Sequence, residues 1–265
     1  MTSSRTAGAL LALPTRLGSA LLAVATQVGG TGVLTAKVLA RLFPPRIDRL
    51  ELTRSLHRMG VASVAITSAT AVFVGGIMVI QAAPMVQRFG VKEIVGWGAG
   101  FATLREVGPL LIALVFNGRV GANNTAELAS MTVTDQIDAL RALAIDPITY
   151  LVVPRVLSMI LMITVLTVIG DCVAMLGALG AAKALLDVDP RVFLRSLVTL
   201  LEPWDLLSGL VKASIFGTVI GFVSSHYGLS VRGGAPGVGH AVTASVVASA
   251  SGIFALDYLF TFIID

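Results

Sequence analysis

Long apolar segments separated by short polar ones make up most of the chain after residue 58. Asp, Glu, Lys and Arg are absent from three stretches, 59–87, 213–231 and 233–256. A helix of roughly 20 apolar residues crosses the hydrocarbon core of a bilayer, which is about 30 Å thick. The pattern predicts an all-α polytopic membrane protein, and the predicted spans are 60–84, 100–120, 152–178, 207–229 and 239–262.

The first 58 residues have a different pattern. Their apolar stretch is interrupted by Pro14, Arg16 and Lys37, so it predicts a helix lying in the cytoplasmic interface rather than a span. A cleaved signal peptide is the alternative, and Pro14 and Arg16 count against it because they break the apolar segment that a signal peptide needs. We therefore divide the chain into an N-terminal interfacial region, 1–58, and a five-span domain, 59–265.

Composition and charge support this class and predict an orientation. Of the 265 residues, 55% are hydrophobic and 13% are charged, whereas soluble domains have about 25% charged residues. The segments 1–58, 119–155 and the region near 230 hold twelve of the 19 Lys and Arg, and the segments on the other side of the spans hold five. Cytoplasmic loops carry this excess, which predicts a cytoplasmic N-terminus and an external C-terminus. The net charge of +4 is thus explained without nucleic acid.

Cysteine usage and motifs exclude several kinds of site. Cys172 is the only cysteine, so no intramolecular disulfide can form, and no Cys/His spacing typical of a metal site occurs. The chain also has no Walker A pattern. We therefore predict no cofactor or metal on this chain, and any ATP and Mg²⁺ must be bound by another subunit.

The connection between the second and third spans predicts a short helix at about 135–145. Thr132 and Asp135 have the spacing of a capping box. Asp146-Pro147 is typical of an N-cap followed by proline at the start of the next helix.

An apolar stripe on this short helix indicates a docking surface. It consists of Ile137, Leu140 and Ala144, while Asp138 and Arg141 can pair on another face. We expect no part of the chain itself to cover the stripe, so it predicts a cytoplasmic partner. A helix folded back onto the membrane interface is the alternative.

The segment LREVGPLLIALVFNGRVGANNTAELASMTVTDQIDAL carries a specific resemblance. It is similar to the central signature of the MlaE/YrbE permeases, membrane subunits of ABC transporters that move lipids in bacterial envelopes. LHRMGVASVAITSATAVFVGGIMVIQ and SSHYGLSVRGGAPGVGHAVTASVVASASGIFALDY resemble the first and last spans of that family. The resemblance covers about 55–263, and Asp135 departs from it because the family commonly has Glu there.

The resemblance implies an architecture and a set of partners. It implies an N-terminal elbow helix, five transmembrane helices, and a second permease copy in a homodimer in the bacterial inner membrane. It also implies a cytoplasmic ABC ATPase, often a small STAS-domain protein, an external MCE-domain protein and a lipid substrate of the phospholipid class. Some relatives carry a STAS domain before the first span, for which the 58 residues here are too few.

The resemblance also implies two groups of functional residues. The lipid pocket would be lined by Val79, Ile80, Ala83, Arg105 and Glu106. The coupling helix that inserts into the ATPase would include Asp135, Ile137, Asp138, Leu140, Arg141 and Ala144.

Charged residues within the predicted spans need a non-lipid environment, since each costs about 2.5–3.5 kcal/mol at membrane depth. Arg105 and Glu106 are neighbours and pair poorly with each other on one helix. We therefore expect each to meet the second copy or a lipid head group, with a position at the outer water interface as the alternative. For Lys212 and Asp257 a structural ion pair and a functional role stay open.

Three other functions are alternatives to a transporter permease: an intramembrane serine protease, a secondary transporter and a non-transporting scaffold subunit. An intramembrane serine protease would use Ser230 with His226, but these lie in one glycine-rich loop without the buried position that such chemistry needs. A secondary transporter would usually show internal repeats, and the sequence has none. A non-transporting scaffold subunit remains an alternative.

Overall fold

The computed structural model describes residues 3–42 and 49–264, and these residues are almost entirely helical. The helices are α1 (Ser3–Leu42), α2 (Arg49–Phe89), α3 (Val95–Ala102), α4 (Gly108–Phe116), α5 (Ala122–Val133), α6 (Gln136–Ala142), α7 (Val153–Leu186), α8 (Pro190–Leu200), α9 (Pro203–Leu229) and α10 (Gly234–Ile264). Two π-helical turns, Thr103–Val107 and Asn117–Gly121, join neighbouring helices without a loop, and a third, Ile148–Val152, leads into α7 after a short loop that follows α6.

Five helical segments of the described chain are long and apolar enough to cross a membrane, which confirms the predicted number of spans. They are Leu50–Phe89, Lys92–Val133, Ile148–Leu186, Pro203–Leu229 and Gly234–Ile264. The second contains 42 residues, which at 1.5 Å per residue is about twice the thickness of a bilayer core. Several helix ends must therefore project beyond the hydrocarbon region.

The molecule has two distinct ends. At one end, α5, α6, the start of the third span and the end of α9 meet in a cluster of Leu128, Ile137, Leu151 and Leu229. At the other end, α2, α3, α7 and α8 meet around Phe193. We call these the α6 end and the α8 end. The segments 119–155 and 230–233, both predicted to be cytoplasmic, lie together at the α6 end.

The first and third spans are in direct backbone contact. A side chain on Gly75 would overlap the carbonyl oxygen of Ala174, and one on Gly177 would overlap the carbonyl oxygen of Val72. Small residues allow such an approach, which is how helices gain packing energy where no hydrophobic effect separates helix from lipid. This tight pair forms one wall of the bundle against which the second span packs.

The interior is filled between the second, third and fourth spans. Phe116, Met159, Ile163 and Phe216 are fully buried there, and Ile253 of α10 closes one side. The rest of α10 is largely uncovered, and its Phe254, Tyr258 and Phe262 are exposed. Apolar side chains on the outside and in the interior are both expected for a protein whose solvent is lipid.

Candidate functional site

The charged pair of the sequence signature, Arg105 and Glu106, lies where the regular α-helix of the second span is interrupted. Pro109 has no N–H to donate to the preceding turn, and the N–H of Gly108 donates to the carbonyl of Thr103, five residues earlier. This closes the π-helical turn Thr103–Val107, which contains Arg105 and Glu106. The Gly108-Pro109 step therefore coincides with a π turn, a feature often found at functional sites.

Arg105 is held by the first turn of α9. Its guanidinium lies 3.0 Å from Oδ1 of Asp205 and 5.1 Å from the ring centre of Phe101. Asp205 is itself buried, and its other oxygen accepts a hydrogen bond of 3.0 Å from the N–H of Glu202, which forms a capping box at the start of α9. One carboxylate thus holds Arg105 of the π turn and caps the start of the fourth span.

Glu106 forms the second charged cluster, with Lys212 of α9. The Lys212 ammonium contacts Oε1 of Glu106, lies 3.5 Å from Oδ1 of Asp257 and donates a 2.8 Å hydrogen bond to Thr261. Only 1% of the Lys212 side chain is exposed, against 32% for Glu106. The cluster therefore joins the second, fourth and fifth spans around a buried ammonium, with Glu106 as its accessible edge.

These contacts correct one expectation from the sequence. Arg105 and Glu106 were predicted to meet a second copy or a lipid head group, but each has an oppositely charged partner in its own chain. Lys212 and Asp257 lie within ion-pair distance, as the structural alternative expects, and this contact leaves a functional role for Lys212 open. The sequence did not reveal the role of Asp205 as the partner of Arg105. Asp205 precedes Lys212 by seven residues, which places these two opposite charges on one face of a helix.

The three pocket residues predicted on the first span face different directions. Val79 is fully buried against α3 and α7, so the prediction that it lines an open pocket is wrong for this chain. Ile80 is 54% exposed, and Ala83 is partly buried beside the same cluster. Val79 and Ile80 are adjacent and therefore point about 100° apart, and Ile80 is the most accessible of the three residues.

The helix predicted at about 135–145 is shorter in the structure, and its start differs from the predicted one. It is α6, Gln136–Ala142, and α5 continues to Val133, so the predicted capping box does not form. Thr132 donates instead to the carbonyl of Leu128 at 2.8 Å. Asp135 takes a left-handed conformation, with φ 59°, and makes no side-chain cap.

Two of the three residues of the apolar stripe, Ile137 and Leu140, are covered by the chain itself, which contradicts the expectation of an uncovered surface. Ile137 is buried against Leu128 and Leu151, and Leu140 is partly buried in the same cluster. Ala144 lies beyond the end of α6 with a positive φ of 58°. The large apolar side chains of this segment that are exposed are Leu143, at 71%, and Ile145, at 38%.

The polar face of α6 and the following helix start agree with the sequence prediction. Arg141 lies 2.7 Å from Asp138 on the exposed side. Asp146 accepts from the N–H and the hydroxyl of Thr149 and pairs with Arg41 of α1. Burial alone raises the pKa of Asp146, but the Thr149 hydrogen bonds and the Arg41 charge outweigh it, so its pKa lies below the ordinary value.

A second polar network ties the spans together at the α6 end. Glu127 pairs with Arg58 of the first span at 2.7 Å and with Arg155 of the third at 3.0 Å. Asn124 accepts from Arg155 and donates to the hydroxyl of Ser224 at 2.8 Å. Glu127 therefore joins the second span to the first and third spans through Arg58 and Arg155.

No arrangement for serine chemistry or metal binding is present in the described residues. The His226 ring lies 2.9 Å from the amide oxygen of Gln27 in α1, and no hydrogen bond joins it to the Ser230 side chain among the contacts described. Within 3–42 and 49–264, no group of three or more His, Cys, Asp or Glu could hold a metal ion.

Comparison with known proteins identifies the family. The family model described as Permease MlaE matches residues 52–263, which is most of the chain. The chain belongs to the MlaE permease family. As such it is a membrane subunit of an ABC transporter that is not itself catalytic, and the family implies an ATPase partner.

Individual relatives of this MlaE-family permease agree with that assignment. A probable ABC transporter permease protein of Synechocystis is 36% identical over 230 residues, covering 87% of this chain and 88% of the relative. One from Rickettsia felis is 34% identical over 252 residues, covering 95% and 97%. The chloroplastic protein TRIGALACTOSYLDIACYLGLYCEROL 1 of Arabidopsis thaliana is 33% identical over 227 residues, covering 86% of this chain and 65% of the relative.

Proposed function

We propose that this MlaE-family permease carries a phospholipid through the membrane, driven by the partner ATPase. The observation that carries the proposal is the cluster around Lys212, which places a partly exposed carboxylate, Glu106, within apolar spans. A lipid needs polar contacts for its head group and an apolar surface for its acyl chains. The exposed Ile80 of α2, together with Phe254 and Tyr258 of α10, supplies apolar surface.

The ion pairs also suggest how a head group is bound. Lys212 is covered by Glu106, Asp257 and Thr261 and is therefore closed to ligands in this conformation. If Glu106 moves away, the ammonium becomes available to a lipid phosphate, a charge-assisted contact that is strong in a low-dielectric site. Opening and closing of this pair would then accompany each transport cycle.

The proposed assembly follows from the family and from exposed surface. Two permease copies would form a homodimer, and their exposed apolar faces would enclose the lipid. In the bacterial inner membrane, an MCE-domain protein would bind at the α8 end and an ATPase at the α6 end, with a STAS-domain protein as a further possible subunit. The name of the Arabidopsis relative contains that of a glycerolipid, which supports a lipid as cargo.

The coupling role belongs to α6 and the residues that follow it. Ile137 and Leu140 anchor α6 to the chain, so a force on α6 is passed to the second and third spans. Leu143, at 71% exposure, and the Asp138–Arg141 pair remain available to the ATPase. We propose that the ATPase groove takes up Leu143.

The test uses the complete transporter in vesicles that contain a head-group-labelled phospholipid. We expect lipid movement that depends on ATP hydrolysis. A photo-crosslinker at Ile80, near the α8 end of α2, should capture phospholipid in amounts that change with ATP. The control is Val61, similarly exposed at 62% but near the α6 end of the same helix, where capture should not change. A complex that hydrolyses ATP and moves no lipid would support the scaffold alternative.

A further inference from the structure

Asp171, in the middle of the third span, is an acidic residue that the proposed transport site does not use. Its side chain is 3% exposed, and neither carboxyl oxygen accepts a hydrogen bond among the described residues. The other acids deep in the bundle differ, because Glu106, Asp205 and Asp257 lie within ion-pair distance of Lys212 or Arg105. Asp171 therefore needs a separate explanation.

No charged side chain of the described residues pairs with Asp171. A cavity of about 10 Å³ lies beside it, which has room for one water molecule at most. No side chain that lines it carries a charge apart from Asp171, and the lining comes from α2, α4 and α7. The one hydroxyl residue in the lining, Thr70, donates to the carbonyl of Ile66 instead. An ionised carboxylate here would be buried without a partner, which is strongly unfavourable.

Asp171 touches the π turn that carries the charged pair. A Cβ atom on Gly108 would lie 2.8 Å from Oδ1 of Asp171 and 2.6 Å from the carbonyl oxygen of Thr103. Both oxygens are therefore close to the same side of Gly108, the residue whose N–H closes the π turn. A carbonyl oxygen has two lone pairs, so that of Thr103 can accept a second hydrogen bond.

We propose that Asp171 is a neutral carboxylic acid whose O–H donates to the carbonyl of Thr103, and that it thereby positions the π turn bearing Arg105 and Glu106. It is a positioning residue, since it acts on the charged pair through the backbone of the turn. An acid is suited to this place because its protonated form supplies a donor that no apolar side chain has. The structural part stands alone, and only its consequence for transport rests on the proposed function.

The first measurement is infrared spectroscopy of the purified permease in detergent, which detects the carbonyl stretch of a protonated carboxylic acid. We expect the wild-type spectrum at neutral pH to contain a protonated-carboxyl band that is absent from Asp171→Asn. The difference between the two proteins isolates Asp171 from Asp257 and Glu106. If the band is the same in both proteins, Asp171 is ionised and the proposal is wrong. This result does not depend on any transport activity.

The second measurement is transport by the complete complex. Asp171→Asn keeps the shape and a hydrogen-bond donor, so it should retain activity within about twofold and the pH profile of the wild type. Asp171→Leu removes the donor and should lower transport about tenfold, the effect of losing a buried hydrogen bond. If Asn is as damaging as Leu, or shifts the pH profile, the carboxyl exchanges a proton and a positioning role is excluded. If Asp171→Leu does not fold, the transport activity and pH profile of Asp171→Asn, together with the infrared band, still test the proposal.

Discussion

Replacement of Lys212 by methionine tests whether the charged cluster holds the spans together. The substitution keeps the length and the apolar stem of the side chain and removes the ammonium. Glu106 and Asp257 then face each other without a cation, and Thr261 loses the donor of a 2.8 Å hydrogen bond. Removing one partner of a buried pair costs about 3–5 kcal/mol.

The loss of stability in Lys212→Met should lie in the lower part of this range of about 3–5 kcal/mol. The Glu106 side chain is 32% exposed, so water can solvate its charge, whereas that of Asp257 is 16% exposed and has less access to water. We therefore expect a loss of about 3 kcal/mol. For a chain of this size, about 2–4 °C corresponds to each kcal/mol, so the melting temperature should fall by about 6–12 °C.

The assay is thermal unfolding in detergent, followed by tryptophan fluorescence. Lys183→Met is the matched control, because Lys183 also pairs with an aspartate, Asp187, but at the surface, where 56% and 84% of the two side chains are exposed. The control should melt like the wild type, since exposed pairs contribute little. Combining Lys212→Met with Glu106→Gln and Asp257→Asn should recover most of the loss, because no buried charge then remains. If Lys212→Met melts like Lys183→Met, the cluster does not stabilise the bundle.

Three further predictions concern coupling, topology and packing. Leu143→Asp should release the ATPase and abolish ATP-dependent transport while Asp138→Ala does less; full ATPase retention would exclude this docking site. In a cysteine-free background, Leu143→Cys should be labelled from the cytoplasm and Val198→Cys, which is 78% exposed at the α8 end, from outside; labelling of both from one side would contradict the proposed orientation. A methyl group on Gly209 would overlap a backbone carbonyl of the second span, so Gly209→Ala should cost about 1–3 kcal/mol. In Gly180→Ala the methyl group meets open space, and an equal loss there would refute the packing argument.

Properties that depend on neighbouring residues could be predicted from the sequence. The number of spans follows from the length of each apolar run measured against the thickness of a bilayer, and all five are present. The break before Pro109 and the helix start at Asp146 are equally local, because each depends on backbone donors within one turn. The family signature could be recognised in the same way, since it is contiguous.

The partners of the charged residues could not be predicted, because they are distant in the sequence. Arg105 meets an aspartate 100 residues away, and Glu106 meets a lysine 106 residues away. The sequence indicated that both charges needed a partner at membrane depth. Whether the partner was in this chain, a second copy or a lipid depended on which spans pack together.

Rotation of each helix about its axis was also decided only by the tertiary structure. Val79 and Ile80 are both apolar, yet packing against α3 and α7 buries the first and leaves the second exposed. The stripe on α6 has the same periodicity whether its own chain or a partner covers it, and here Leu128 and Leu151 cover Ile137. In a protein surrounded by lipid, apolar residues are favoured on every face, so hydropathy locates the spans while contacts between them determine which side chains remain free to act.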